Sequence, residues 1–311
     1  MTDGPPRVIA VVGPTATGKS DLALGLAGEL GGEIINVDAM QFYRGMDIGT
    51  AKLREEERRG IPHHQIDVLE VTEDASVARF QAAARADADA IHARGRRVVA
   101  VGGSGLYLRA LLDEFEFPET DPEIRAALEA RGEAEGPGIL HRELAALDPE
   151  SAARIPAQNA KRIVRALEVI EITGRPYSAS LPTRSYAIPA VQIGVRVPLG
   201  VLDARIDERA GRMWDRGLLD ETRALVGRGI RTGVTARRAV GYAEALGLLD
   251  GQLTEDAARE ATARNTRRLA RKQLKWFGPD ERVTWVDGPR NEDDAPRVLA
   301  DALAALGRLD A

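Results

Sequence analysis

Apolar residues fall along the chain in two rhythms, short continuous runs and longer stretches at helical spacing. Val8-Ile9-Ala10-Val11-Val12 is a continuous apolar run, of the length of a strand buried on both faces. Beyond a Gly-rich octet, Asp21-Leu22-Ala23-Leu24-Gly25-Leu26-Ala27 predicts a helix from Ser20 to Leu30. Further strands are predicted at Glu33–Val37, which ends at Asp38, at the short run 66–69, and at Val98–Val101. An Ala-rich helix over Ala78–Arg94, closed by Gly95, separates the last two. Strands alternating with helices predict a parallel α/β sheet. Ligands of such sheets lie outside the carboxyl ends of the strands, and Asp38 and Ser104 each follow such an end.

From about Phe115 the texture changes. Pro118, Asp121 and Pro122 punctuate the chain, residues 132–138 read as a loop, and helices are predicted at Ile139–Ala146 and Ala160–Ile172. After a loop-like stretch, Ser178–Tyr186, a strand returns at Val191–Val197. Helices are then predicted at Val201–Arg216, Asp220–Arg228, Arg237–Leu246, Glu255–Phe277 and Asp294–Leu306, with a last strand at 283–286. The expected architecture is an α/β fold, a parallel sheet flanked by helices, built from residues 1–115 and 190–311. Residues 116–189 form an all-helical insertion domain.

Composition narrows the classes. The 311 residues are 44% hydrophobic and 29% charged, ordinary for a globular chain. The absence of cysteine excludes disulfides, iron–sulfur clusters and cysteine-ligated zinc. No apolar run approaches the roughly 20 residues that span a bilayer, and no secretory leader pattern opens the chain. The expected setting is the cytoplasm, with no membrane partner. The net charge of −5 argues weakly against a nucleic-acid partner, but a basic stripe on one face suffices for one.

The octet between the first strand and helix carries the first chemistry. Gly13-Pro14-Thr15-Ala16-Thr17-Gly18-Lys19-Ser20 fits the phosphate-binding loop. Backbone amides and the helix dipole converge there on an anion. Lys19 can reach phosphate oxygens, and the Ser20 hydroxyl is the expected Mg²⁺ ligand. The motif specifies a diphosphate or triphosphate group and leaves its identity open. Asp38 could be a general base, a carboxylate ordering magnesium-bound water, or simply a helix N-cap. Gln41 can read a base edge or be an exposed turn residue. The run Gly102-Gly103-Ser104-Gly105 lacks an acid, and its hydroxyl suits a leaving-group oxygen; a tight turn would need the same glycines. His63 and His64 are adjacent, so on a strand they face opposite ways, and no zinc site is expected.

Several longer stretches resemble one family. They are the octet, the run Asp38-Ala39-Met40-Gln41-Phe42-Tyr43-Arg44-Gly45-Met46-Asp47-Ile48-Gly49-Thr50-Ala51-Lys52, and Pro62-His63-His64-Gln65-Ile66-Asp67. Val101–Leu108, Arg165–Val169, Val240-Gly241-Tyr242 and Arg271-Lys272-Gln273-Leu274-Lys275-Trp276-Phe277 complete the set. In order from residue 8 to 277, the chain resembles the bacterial tRNA dimethylallyltransferases, also called tRNA isopentenyltransferases. The resemblance implies transfer of a dimethylallyl group from dimethylallyl diphosphate to an adenosine in tRNA. The target is the exocyclic amine of the adenosine just 3′ of the anticodon, extruded from its stack. By the same resemblance the loop, with Mg²⁺, holds the diphosphate, and Asp38 is the general base. Ser104 would touch the leaving group or the tRNA, and Arg205 or Arg209 would add charge at the diphosphate. The chain departs from the family pattern at Ala39, Ala160 and Arg238, all near implied RNA contacts.

Two basic groups suit a polyanion. On the last long helix Arg264, Arg267, Arg268, Arg271, Lys272 and Lys275 run without an intervening acid, and like charges at helical spacing favour an anionic partner. In the insertion, Gln158-Asn159-Ala160-Lys161-Arg162 is the expected contact to the anticodon loop, with Arg154 and Arg165 nearby. Trp276 and Phe277 are read as core. A monomer is expected. The alternatives are an adenylate isopentenyltransferase and a small-molecule P-loop kinase. The basic helix and the insertion weigh against both.

Overall fold

The computed structural model describes residues 7–114, 117, 118, 120–180 and 184–309. The chain forms two compact units, Met1–Leu112 with Tyr186–Ala311, and Asp113–Ser185. The expected boundary residues 115 and 116 lie outside the described residues, as do residues 181–183 of the loop-like stretch.

The first unit contains strands β1 (Val8–Val12), β2 (Gly32–Asn36), β3 (His63–His64), β4 (Arg97–Gly102), β5 (Ala190–Arg196) and β6 (Val283–Asp287). Its helices are α1 (Lys19–Glu29), α2 (Val77–Ala93), α3 (Gly105–Leu112), α8 (Leu199–Asp215), α9 (Leu218–Gly227), α10 (Tyr242–Leu249), α11 (Glu255–Phe277) and α12 (Ala295–Leu309). The strands make one six-stranded sheet in the order β3-β2-β4-β1-β5-β6, and every pairing is parallel. All five β1 residues are buried, as its continuous apolar run requires for a central strand covered on both faces. Ile9, Val11, Ile34, Val99, Ile193, Val195 and Val286 pack with α1 and α12. Helix α2 covers β2 and β4 with Phe80, Ala84, Ala88 and Ile91 buried.

The order places the ends of β2, β4 and β1 side by side. Chain leaves β1 toward β2 and leaves β4 toward β5, in opposite directions. The crevice between their loops is therefore a topological switch point, where ligands bind in open α/β sheets. The approach there is close: a methyl on Gly102 would stand 2.7 Å from the Val37 carbonyl carbon and 2.9 Å from its oxygen. Gly102→Ala should therefore cost about 1–3 kcal/mol of stability, read from the urea midpoint. An unchanged midpoint would contradict this packing.

Three sequence expectations are corrected in this unit. Residues 66–69 are not a strand: Gln65 and Asp67 take left-handed φ values of 58° and 56°, and only Leu69 bridges to Tyr43. The third strand of that edge is His63–His64 instead. The predicted helix 237–246 is broken by Gly241, with φ 93°, into a 3₁₀ turn at Ala236–Arg238 and the helix α10. Trp276, read as core, is 43% exposed, whereas Phe277 is buried.

The second unit is helical throughout its described elements: α4 (Pro122–Glu135), α5 (Pro137–Leu147), α6 (Pro149–Arg154) and α7 (Ala160–Thr173), followed by a 3₁₀ turn at Tyr177–Ser180. Leu128, Leu140, Leu144, Ile163, Val164 and Leu167 form its core. The predicted loop at 132–138 is mostly helix. Asp121 caps α4 and Pro122 starts it, so the helix runs through Gly132 until Gly136, at φ 85°, ends it. Arg165 is engaged inside this unit: with Arg125 it pairs with the fully buried Glu168. It is thereby withdrawn from the basic surface expected of it.

Candidate active site

The loop Gly13–Ser20 joins β1 to α1. Gly13 has φ 134°, and a Cβ there would lie 2.5 Å from the Val195 carbonyl oxygen on β5. Ala16 holds φ 64°, a left-handed conformation costing a non-glycine residue about 1–2 kcal/mol. The buried Thr17 hydroxyl closes the loop by donating to Pro14 O at 2.9 Å. Lys19 Nζ donates to the same carbonyl at 2.7 Å. Burial, and then the neighbouring Arg209, bring the Lys19 ammonium down to about 8, with Asp38 opposing them. Ser20 is exposed on the first turn of α1.

Asp38 follows β2 and is both an N-cap and a candidate base. Its Oδ1 accepts from Met40 N at 3.0 Å, capping a 3₁₀ turn over Ala39–Phe42. Its Oδ2 has no hydrogen-bond partner among the described residues. Burial pushes the Asp38 carboxyl above the usual aspartate range, against the Met40 N–H, Lys19 and Arg209. Asn36 braces this turn: its Oδ1 accepts from Asp38 N, and its Nδ2 donates to Asp38 O and Gln65 O. On the same turn, Ala39 is buried and Met40 and Gln41 are half-buried. Gln41 is thus no exposed turn residue: its Nε2 donates to Thr50 O at 3.1 Å.

Ser104 opens α3, its carbonyl accepting from Leu108 N. Its hydroxyl makes no hydrogen bond among the described residues. The glycines around it are seats for α11. A methyl on Gly103 would overlap the Gln273 amide, and one on Gly105 would overlap the Trp276 indole. Gln273 Oε1 also accepts from Thr15 N at 2.8 Å. One side chain of α11 thus touches both the phosphate loop and the β4–α3 turn.

The two candidate arginines on α8 diverge. Arg209 Nη1 faces Thr15 Oγ1 at 3.4 Å, and its charge is close enough to act on both Lys19 and Asp38. Arg205 instead donates to the carbonyls of Pro289 and Arg290.

The basic run of α11 is less bare than its sequence suggests, because its acids come from outside the run. Arg264 pairs with Glu260, Arg267 with Asp207 and Arg271 with Asp203. Arg268 is exposed and reaches Asn265. Lys272 and Lys275 make no ion pair among the described residues. In the second unit Asn159 caps α7, and Gln158, Ala160, Lys161 and Arg162 are exposed around that N-terminus. No group of three or more His, Cys, Asp or Glu residues that could hold a metal occurs among the described residues. None of the described helices is long and apolar enough to cross a membrane.

A family model described as IPP transferase matches residues 41–280. A tRNA dimethylallyltransferase of Streptomyces griseus is 57% identical over 283 residues, spanning 91% of each chain. The chain belongs to the tRNA dimethylallyltransferase family. A second member of that family, from Kineococcus radiotolerans, is 56% identical across 95% of this chain and 97% of its own. Among solved structures, the full-length tRNA isopentenylpyrophosphate transferase of Bacillus halodurans superposes with a TM-score of 0.70 at 39% identity, covering 97% of both chains. A eukaryotic dimethylallyltransferase acting on tRNA superposes with a TM-score of 0.82 at 26% identity, covering 96% of this chain and 77% of that one.

Two residues of this candidate site escaped sequence reasoning. Gln273 lies within the Arg271–Phe277 stretch that carries the resemblance, but nothing in its spacing signals a partner 258 residues earlier. Asn36 precedes Asp38 by two on β2, a position that reads as strand end rather than brace.

Proposed function

We propose that this chain transfers the dimethylallyl group of dimethylallyl diphosphate to the exocyclic amine of the adenosine 3′-adjacent to the anticodon in tRNA. The products are N6-dimethylallyladenosine and diphosphate. One observation carries this reading: a carboxylate with an unpartnered oxygen, Asp38, stands at a strand end within electrostatic reach of Lys19 and Arg209 at the phosphate loop. The adenine nitrogen attacks the allylic carbon, a C–N bond forms, and the C–O bond breaks with its electron pair leaving on the diphosphate. Asp38 takes the proton from the amine. The loop amides, Lys19 and Arg209 stabilise the charge that builds on the diphosphate, and in this reading the Ser104 hydroxyl contacts the leaving group or the tRNA.

The donor set suits magnesium carried mainly by the substrate. Ser20 supplies one hydroxyl, and Mg²⁺ typically combines few protein ligands with phosphate oxygens and water. There it would offset diphosphate charge. For the tRNA, the exposed Gln158–Arg162 segment, Arg268, Lys272 and Lys275 are the contacts this reading favours. The exposed Arg264–Glu260 pair is worth little by itself and is free to exchange its acid for a phosphate. Arg271 is held to Asp203 by Nη2, while its buried Nη1 has no hydrogen-bond partner among the described residues. A cytoplasmic monomer fits the reaction. An adenylate acceptor or a kinase reaction is not favoured by relatives of this kind.

Nucleoside analysis of a reacted anticodon stem-loop tests the reading. The modified base is expected 3′ of the anticodon, and modification elsewhere would overturn it. The acid limb of kcat/KM gives a second test. Protonated Asp38 cannot accept the amine proton, so activity falls as pH drops through a pKa that burial raises above the usual aspartate range. Activity that shows no acid limb, or one confined to the usual aspartate range or below it, would contradict that role.

A further inference from the structure

The loop following Asp38 is clamped from a distance. The backbone N–H groups of Asp47, Ile48 and Gly49 all donate to the Glu221 carboxylate of α9, the shortest at 2.8 Å. Successive amides converging on an anion make a nest, here filled by the chain's own side chain. The Tyr242 hydroxyl completes the clamp. It donates to Glu221 Oε1 at 2.6 Å and accepts from Gly49 N at 3.2 Å. Tyr242 is fully buried, and a methyl on Gly49 would stand 2.5 Å from its ring. Burial and the adjacent Glu221 carboxylate hold the phenol well above its usual pKa, so it stays a donor.

The clamped loop ends on the group that orients Gln41. Thr50 is tied to Met46 O through its hydroxyl at 2.6 Å, and its carbonyl receives Gln41 Nε2. That bond fixes which way the Gln41 amide points, leaving Oε1 and one N–H to offer an adenine edge, the bidentate pattern that glutamine makes with adenine.

We propose that Glu221 and Tyr242 are positioning residues for the acceptor nucleotide, setting the Gln41 amide beside Asp38 through the loop 47–50. The inference rests on the transfer reaction proposed above. A charge-assisted bond such as the Tyr242–Glu221 contact is among the stronger hydrogen bonds. Its loss in Tyr242→Phe should raise KM for an anticodon stem-loop about tenfold, with kcat and the KM for dimethylallyl diphosphate unchanged. Glu221→Gln keeps the side-chain shape and one acceptor oxygen, and should show the same split.

The decisive experiment is a double-mutant cycle of Tyr242→Phe with Gln41→Ala, run beside thermal melts. If Tyr242 acts through Gln41, the double variant has the same stem-loop KM as Gln41→Ala alone. Additive increases, or equal losses in kcat and donor affinity that track melting temperature, would overturn the inference while leaving the reaction intact. Wild-type protein that labels no stem-loop would overturn the reaction itself, and the inference with it.

Discussion

Asp38→Ala should lower kcat for dimethylallyl transfer by about 10²–10⁴-fold, the usual contribution of a positioned general base, while dimethylallyl diphosphate still binds. The separation follows from the fold. The phosphate loop is built by β1 and α1, and none of its hydrogen bonds goes to Asp38. Asp38 follows β2, on a different element from the loop, and its side-chain contact is local, to Met40 N. Removing the carboxylate therefore uncaps a short 3₁₀ turn and removes the proton acceptor, but leaves the anion site in place. Asp38→Asn separates the two effects, because an amide oxygen can still cap the turn but cannot act as the base. Both variants should be equally slow. If Asp38→Asn turned over normally, capping would be the residue's whole role.

Arg209→Ala should cost about 10²–10³-fold in kcat, the scale of losing one preorganised donor at a developing anion, and should weaken diphosphate binding. Arg205→Ala should do far less to kcat. The two arginines lie one helical turn apart on α8, and sequence alone does not separate them. Arg209 reaches the loop hydroxyl of Thr15, and burial pulls its pKa down against the support of Asp38. A guanidinium keeps its proton nonetheless, so a poorly solvated positive charge is held at the loop, where a diphosphate would compensate it. Arg205 is committed to two backbone carbonyls at Pro289 and Arg290. Pro289 in turn packs near Gly18 of the loop, where a Cβ would lie 3.1 Å from its Cγ. Arg205 thus shapes the loop's surroundings, and its loss should appear in stability first. A larger kcat loss for Arg205→Ala than for Arg209→Ala would reverse this assignment.

The parts of the fold written in local patterns were legible. The β1 run, the glycines of the octet and the Glu255–Phe277 helix depend on neighbours in sequence, and each element stands within a residue or two of its expected place. The irregular stretches were not. Residues 66–69 look like a strand by composition, but Asp67 is drawn to the buried ammonium of Lys52, which it shares with Asp47. Only the fold brings those three together. The same holds for the basic face of α11. Its sequence shows no acid between Arg264 and Lys275, because Asp203 and Asp207 arrive from α8. Phosphate contacts read from a run of like charges need the facing helix as well. The site was half legible: motif residues announced themselves, whereas their supports, Gln273, Asn36, Glu221 and Tyr242, are defined by distances in space.

Labelled dimethylallyl diphosphate, Mg²⁺ and purified protein, offered either an anticodon stem-loop or AMP, test the central claim most directly. Label in the stem-loop and none in AMP is the result expected of a tRNA dimethylallyltransferase with this site. Label in AMP alone would make the acceptor a mononucleotide, and label in neither, with ATP consumed when small acceptors are supplied, would contradict prenyl transfer altogether.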